Sequence, residues 1–224
     1  MHIPDGFIDP QTSAVFAGLA ATGVAAALKG ARSQLDEKTA PLAGLTAVFI
    51  FAVQMLNFPV AAGTSGHLLG GVLAAVLVGP WAATLALTVV LLMQSFLFAD
   101  GGLTALGLNV FNMGIVGVWG GYAIFLIVRK VLPQNKSSIS LAAAIGGLLS
   151  VPLAAVGFTI QYALGATATF STATVLSAMV GTHVLIGIGE AIITGLTVSA
   201  VLASRSDLVY GWKNNKQKLE IRNA

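Results

Sequence analysis

No cysteine occurs in the 224-residue chain, which excludes disulfides, thiolate metal sites and cysteine nucleophiles. Side-chain metal chemistry falls to three histidines and eight carboxylates. Charge is scarce too: Asp, Glu, Lys and Arg make up 8% of residues and hydrophobic residues 56%, against roughly 45–50% in soluble domains. With a mean hydropathy of +0.90, the chain belongs in a bilayer, and it has no room for an ATPase or other catalytic module. The opening MHIPDGFIDP lacks Lys and Arg, the reverse of the basic start of a secretory signal peptide. The mature protein is expected to begin at Met1. Because His2 is too large for the initiator methionine to be trimmed, the Met1 α-amine is expected to persist.

Apolar runs predict an all-α membrane protein, a bundle of seven transmembrane helices. They cover about Ser13 to Leu28, Pro41 to Phe58, Leu68 to Gly79, Trp81 to Phe98, Leu103 to Val128, Ile139 to Leu164 and Val175 to Ala203. The third is short for a span of about 20 residues. Residues 1–203 read as one transmembrane domain with an N-terminal metal-ligating segment, and 204–224 as a polar cytoplasmic tail.

Alternating seven spans places all eleven basic residues on one side. Lys29, Arg32 and Lys38 follow the first run, Arg129, Lys130 and Lys136 the fifth, and Arg205, Lys213, Lys216, Lys218 and Arg222 lie in the tail. By the positive-inside rule the N-terminus is outside and the C-terminus cytoplasmic. The basic pI therefore reports topology, and no nucleic-acid partner is implied. Asp5, Asp9 and Asp100 give the outer mouth a mildly acidic character that attracts cations. Small residues at helical spacing, such as Ala17, Ala21 and Ala25 or Gly114, Gly117 and Gly121, suit close helix packing within the bundle or a face for a partner membrane protein.

All three histidines map to the outer side or outer half: His2, His67 at the mouth of the third run, and His183 about two turns into the seventh. A chain beginning Met1-His2 offers its α-amine, the His2 amide once deprotonated, and the His2 imidazole, which close adjoining chelate rings around one ion. Such a planar nitrogen set suits Ni(II) or Cu(II). His67, after the turn-prone Thr64-Ser65-Gly66, is the leading fourth donor, with His183 in reserve; Pro4 and Gly6 would fold the first residues back into the mouth. Glu190, about two turns deeper than His183 on nearly the same face, reads either as part of an ion path or as an acid paired internally with Thr or Asn. Asn109, Asn112 and Gln94 read as interhelical hydrogen bonders, some of them able to orient ligand histidines.

Two other classes compete. Gly63-Thr64-Ser65-Gly66 is similar to the Gly-x-Ser-Gly of rhomboid intramembrane proteases, with His183 as a base. Glu190 with His183 could instead line a stand-alone ion carrier or channel, against which the lack of an internal repeat counts.

The chain resembles the metal-binding S components of energy-coupling-factor transporters for nickel and cobalt, the NikM/CbiM family, along nearly its whole length. The resemblance is carried by Met1-His2-Ile3-Pro4-Asp5-Gly6-Phe7, Met55-Leu56-Asn57-Phe58-Pro59-Val60, Gly63-Thr64-Ser65-Gly66-His67, Asp100-Gly101-Gly102-Leu103-Thr104 and Asn109-Val110-Phe111-Asn112-Met113-Gly114. It implies a non-catalytic seven-helix subunit of the bacterial plasma membrane. That subunit captures Ni(II) or Co(II) as transported substrate through Met1, His2 and His67, and carries no organic cofactor. It implies as partners a transmembrane coupling protein, cytoplasmic ATPases and a small auxiliary membrane subunit; the chain itself has no Walker A motif. The His-Ile-Pro-Asp-Gly opening and Thr-Ser-Gly-His stretch look closer to the nickel branch than to the cobalt branch.

Overall fold

The computed structural model describes residues 1–37, 39–59 and 65–212. Lys38, residues 60–64 with Val60, Gly63 and Thr64, and the tail positions Lys213, Lys216, Lys218 and Arg222 lie outside the described residues. The helices are α1 (Pro10–Ala31), α2 (Thr39–Gln54), α3 (Gly71–Val78), α4 (Pro80–Leu97), α5 (Leu106–Val131), α6 (Lys136–Gly165) and α7 (Thr172–Arg205). Residues Val110–Gly120 of α5 are wound as a π-helix. Two-residue strands, β1 (Phe58–Pro59) and β2 (Ser65–Gly66), pair antiparallel between α2 and α3, a small exception to the all-α expectation.

Among the described residues, five helices are long and apolar enough to cross a membrane: α1, α4, α5, α6 and α7. The other two apolar runs are trimmed. The second ends at Gln54, so that Phe58 and Pro59 enter the strand pair, and the third keeps only eight helical residues, leaving Leu68 to Gly70 as loop. Gly79 ends α3 at φ +94, a left-handed conformation open to glycine, and Pro80 starts α4 at the first position, where its missing N–H costs nothing.

Helix starts follow capping chemistry. Asp9 accepts from the Thr12 amide ahead of α1, Asn135 from Ser138 ahead of α6, and Ser171 from Thr174 ahead of α7. The last cap moves the start of α7 to Thr172, three residues before the apolar run begins.

Every residue of α3 is buried, and α3 touches α2, α4, α5, α6 and α7, so it forms the central pillar of one core layer. A second layer gathers Met1, Ile3, Ile8, Phe16, Leu69, Leu108, Met113, Phe158 and Tyr162. Outside, Val15, Leu19, Val48, Leu185, Ile192 and Leu196 are exposed; helices apolar on both faces in this way are solvated by lipid. The molecule is a multi-pass membrane protein.

The first nine residues, turned at Asp5–Gly6, form a wedge at the end of the bundle where α1 and α7 begin and α6 ends. The Asp9 amide donates to Gly165 O at 2.7 Å, Thr167 N to Phe7 O at 3.3 Å, and Gly102 N to Ile3 O at 2.9 Å. The Phe7 ring packs between Phe158 and Tyr162, with centroids at 5.9 and 5.5 Å. Arg129, Lys136 and Arg205 sit at the opposite end, where Arg129 donates to Gly211 O and Lys136 to Leu202 O, both at 2.8 Å.

Candidate metal centre

The wedge carries Met1 and His2 inward because Ile3 is held on both sides of its backbone. Its N–H donates to Asn109 Oδ1 at 2.9 Å, and its carbonyl accepts from Gly102 N at 2.9 Å and Asn109 Nδ2 at 3.4 Å. Two residues on, Asp5 Oδ1 accepts from the Thr104 amide and hydroxyl at 2.7 and 2.6 Å, which clasps the wedge to the loop before α5 and holds the Asp5 carboxyl below its ordinary range. Asn109 is thus a backbone anchor for the N-terminal segment, bonded to Ile3 and not to a neighbouring helix or to a histidine ring. Asn112 bonds Gln161 on α6 at 2.7 Å, as an interhelical polar residue should.

Held in this way, Met1 is 1% exposed and His2 4%, while His67, on the loop entering α3, is fully buried. The His2 and His67 rings stand with centroids 4.6 Å apart at an interplanar angle of 31°. His67 Nδ1 lies 2.7 Å from the Leu68 carbonyl, which can only accept, so Nδ1 carries the proton and the buried Nε2 presents a lone pair without a protein partner. His2 Nε2 lies 3.5 Å from Asp100 Oδ2, itself fixed by Asn57 Nδ2 at 2.7 Å. Neither His2 ring nitrogen has a hydrogen-bond partner; the nearby Asp100 carboxylate favours the tautomer with the proton on Nε2, which leaves the lone pair on Nδ1. Gly101 makes room for the ring: at φ +92, a Cβ there would stand 2.8 Å from His2 Nδ1.

Desolvation is the largest influence on all three groups. It lowers the Met1 amine well below 8.0 against the opposing pull of Asp100, and the His2 imidazole well below 6.5 with help from the amine. His67 is lowered in the same way, with smaller pushes from the amine, His2 and His183 and an opposing one from the Leu68 carbonyl. Each of these shifts favours the uncharged form, the form in which an amine or imidazole nitrogen can donate to a metal.

No group of three or more His, Cys, Asp or Glu side chains gathers as a metal site among the described residues. What the fold brings together is two imidazoles and the amino terminus, a nitrogen set that favours late first-row transition ions over Mg²⁺ or Ca²⁺. His183, the reserve donor, is buried on α7, donates Nδ1–H to Met179 O at 2.7 Å, and leaves Nε2 without a partner.

The partners of Glu190 differ from those expected. Its oxygens accept from the backbone amides of Leu69 and Gly70, at 2.9 and 2.8 Å, in place of a Thr or Asn side chain. The sequence reading missed Asp100 as the partner of His2 and Gln54 as the donor to Leu69 O at 2.6 Å. The signal for Asp100 was a lone acid beside paired glycines; for Gln54 nothing local distinguished it.

Residues 2–208 match the family model CbiM, described as the cobalt uptake substrate-specific transmembrane region. The chain is 35% identical to the fused nickel transport protein NikMN of Rhodobacter capsulatus, covering 93% of this chain and 64% of that protein. It is 32% identical to the cobalt transport protein CbiM of Sorangium cellulosum, covering 93% and 94%. The fold matches the crystal structure of a truncated transition metal transporter with a TM-score of 0.84 at 34% identity, covering 91% of this chain and 99% of that one.

Proposed function

The chain belongs to the CbiM family of cobalt uptake transmembrane regions, a transporter family and not an enzyme family, and from that premise we propose that it is the substrate-capturing S component of an energy-coupling-factor importer. Its substrate is a divalent transition metal ion, with Ni(II) preferred to Co(II). Family membership sets aside the intramembrane-protease reading of Ser65 and His183.

The ligands are the Met1 amine, the His2 amide nitrogen, His2 Nδ1 and His67 Nε2. The α-amine and the His2 amide nitrogen close a five-membered chelate ring. The amide nitrogen and Nδ1 of the same residue close a six-membered one, whereas Nε2 could not reach. The observation that carries this reading is the juxtaposition of buried, unpartnered His2 and His67 nitrogens beside the buried amine. Burial favours the unprotonated form of these donors, and displacement of the amide proton by the metal, with release of that proton to solvent, makes the site strong enough for a d⁸ ion in planar geometry.

The reading extends to topology and partners. All seven helical segments form the membrane bundle of 1–203, with Met1 outside and 204–224 as the cytoplasmic tail, in a bacterial plasma membrane. An open depression lined by Pro4, Asp5, Ser95, Gly101 and Gly102 lies beside the site, and the ion reaches His2 when the Asp5–Thr104 clasp parts. Concentrative transport depends on a transmembrane coupling protein, cytoplasmic ATPases and a small auxiliary membrane subunit, since the sequence carries no Walker A motif.

The test is elemental analysis and competition between Ni(II) and Co(II) on the purified full chain in lipid nanodiscs. One ion per chain, Ni(II) over Co(II), and loss of binding in His67→Ala are expected. Undiminished binding in His67→Ala and in a chain with one residue added before Met1 would refute the ligand set.

A further inference from the structure

The loop that carries His67 is tied to the last helix by one carboxylate. Glu190, in the middle of α7 and 2% exposed, reaches across to accept from Leu69 N at 2.9 Å through Oε2 and from Gly70 N at 2.8 Å through Oε1. Both oxygens act as acceptors, as an ionised carboxylate requires. On the other side, Gln54 Nε2 of α2 donates to Leu69 O at 2.6 Å. Leu69 is thus gripped at its N–H and at its carbonyl.

The Leu69 N–H and the Leu68 C=O belong to one peptide group, which is planar and trans, so the two point in opposite directions and neither can turn without the other. The Leu68 carbonyl is the acceptor for His67 Nδ1–H at 2.7 Å. A continuous line therefore runs from the Glu190 carboxylate through the Leu69 N–H, across the peptide to the Leu68 carbonyl, and on to the imidazole whose Nε2 is free.

We propose that Glu190 is a positioning residue for His67: through the Leu68–Leu69 peptide it sets the rotation of the imidazole and strengthens Nε2 as a metal donor. This rests on His67 being a ligand. Hydrogen bonds in such a chain polarise one another, so negative charge at Glu190 makes the Leu68 carbonyl a better acceptor and His67 Nε2 a stronger base. The arrangement does for His67, one peptide removed, what Asp100 does directly for His2. It also joins the capture site to α7, so that displacement of α7 relative to α3 would turn the imidazole away from the ion.

A purely structural account is available, since Gly70 precedes α3 without a side-chain cap of its own and Glu190 could serve only as that cap. The two accounts separate by experiment. Glu190→Gln has the same shape, keeps one acceptor and sets an NH₂ against a backbone N–H. Ni(II) titrations of the full chain in nanodiscs, read by the visible d–d absorption of the bound ion, are expected to show affinity reduced roughly 10- to 100-fold, the usual cost of losing an outer-shell partner of a ligand. The absorption maximum is expected to move, because a capping role would alter stability and leave the spectrum of the bound ion alone.

Wild-type affinity and an unmoved band in Glu190→Gln, with binding still lost in His67→Ala, would overturn the inference and leave the ligand set intact. Undiminished binding in His67→Ala would remove both. Should Glu190→Gln not fold, hydrogen exchange on the wild type decides. Linkage requires saturating Ni(II) to slow exchange at the Leu69 and Gly70 amides, an effect that His67→Ala abolishes, and exchange indifferent to Ni(II) would overturn the proposal.

Discussion

The imidazoles of His2 and His67 face each other with ring centroids 4.6 Å apart, and His2 Nδ1 and His67 Nε2 are both buried without a protein partner. Nitrogen lone pairs so enclosed are unfavourable unless something binds them, because each has given up its water. If a metal ion fills that role, His67→Ala and a one-residue extension before Met1 should each weaken Ni(II) binding by more than the roughly 100-fold that loss of an outer-shell partner costs. Calorimetric titration of the full chain in detergent or nanodiscs provides the measurement.

Asp100→Asn tests the orientation of His2. The carboxylate stands 3.5 Å from His2 Nε2, and Asn57 anchors the same oxygen, so the amide variant weakens both contacts while keeping the shape. Ni(II) affinity is expected to fall roughly 10- to 100-fold, with the helical content seen by circular dichroism unchanged. An affinity equal to wild type would mean that Asp100 plays no part in presenting Nδ1.

Proton release reports the protonation of the free site. Burial holds the Met1 amine well below 8.0 and both imidazoles well below 6.5. These groups are then already deprotonated at pH near 7.5, and Ni(II) should displace about one proton, from the His2 amide. Isothermal titration in buffers of different ionisation enthalpy measures this number, and about two would show a charged amine in the free protein.

The same shifts set the pH dependence of the metal-free fold. Bases whose folded values are lowered bind fewer protons folded than unfolded, so stability increases with pH and is lost on acidification through the unfolded values of 8.0 and 6.5. The thermal midpoint of the metal-free protein is expected to rise between about pH 6 and 8 and to level off above. A midpoint that falls over this range would contradict the buried, uncharged amine.

Gly101 and Gly6 form a matched pair. Both have positive φ, +92 and +74, but an added Cβ at Gly101 meets His2 Nδ1 at 2.8 Å, while at Gly6 nothing lies within 4 Å. Either alanine carries a backbone cost of roughly 1–2 kcal/mol. Only Gly101→Ala should also displace the His2 ring, so Ni(II) affinity is expected to drop about tenfold or more in Gly101→Ala and to change little in Gly6→Ala.

Much of this protein follows from composition and order along the chain. Membrane residence, the places of the long helices and the restriction of side-chain metal chemistry to histidine and carboxylate are sums over local sequence, and each could be read without knowing what touches what. Tertiary structure decided the rest. The third apolar run kept eight helical residues because its first part became the loop that presents His67. Asn109, Asp100 and Glu190 acquired their roles from contacts with Ile3, His2 and Leu69, partners distant in sequence. A polar residue in an apolar run announces that it needs a partner, because an unpaired buried group is costly, but only the packing of the helices determines which backbone amide or imidazole meets that need.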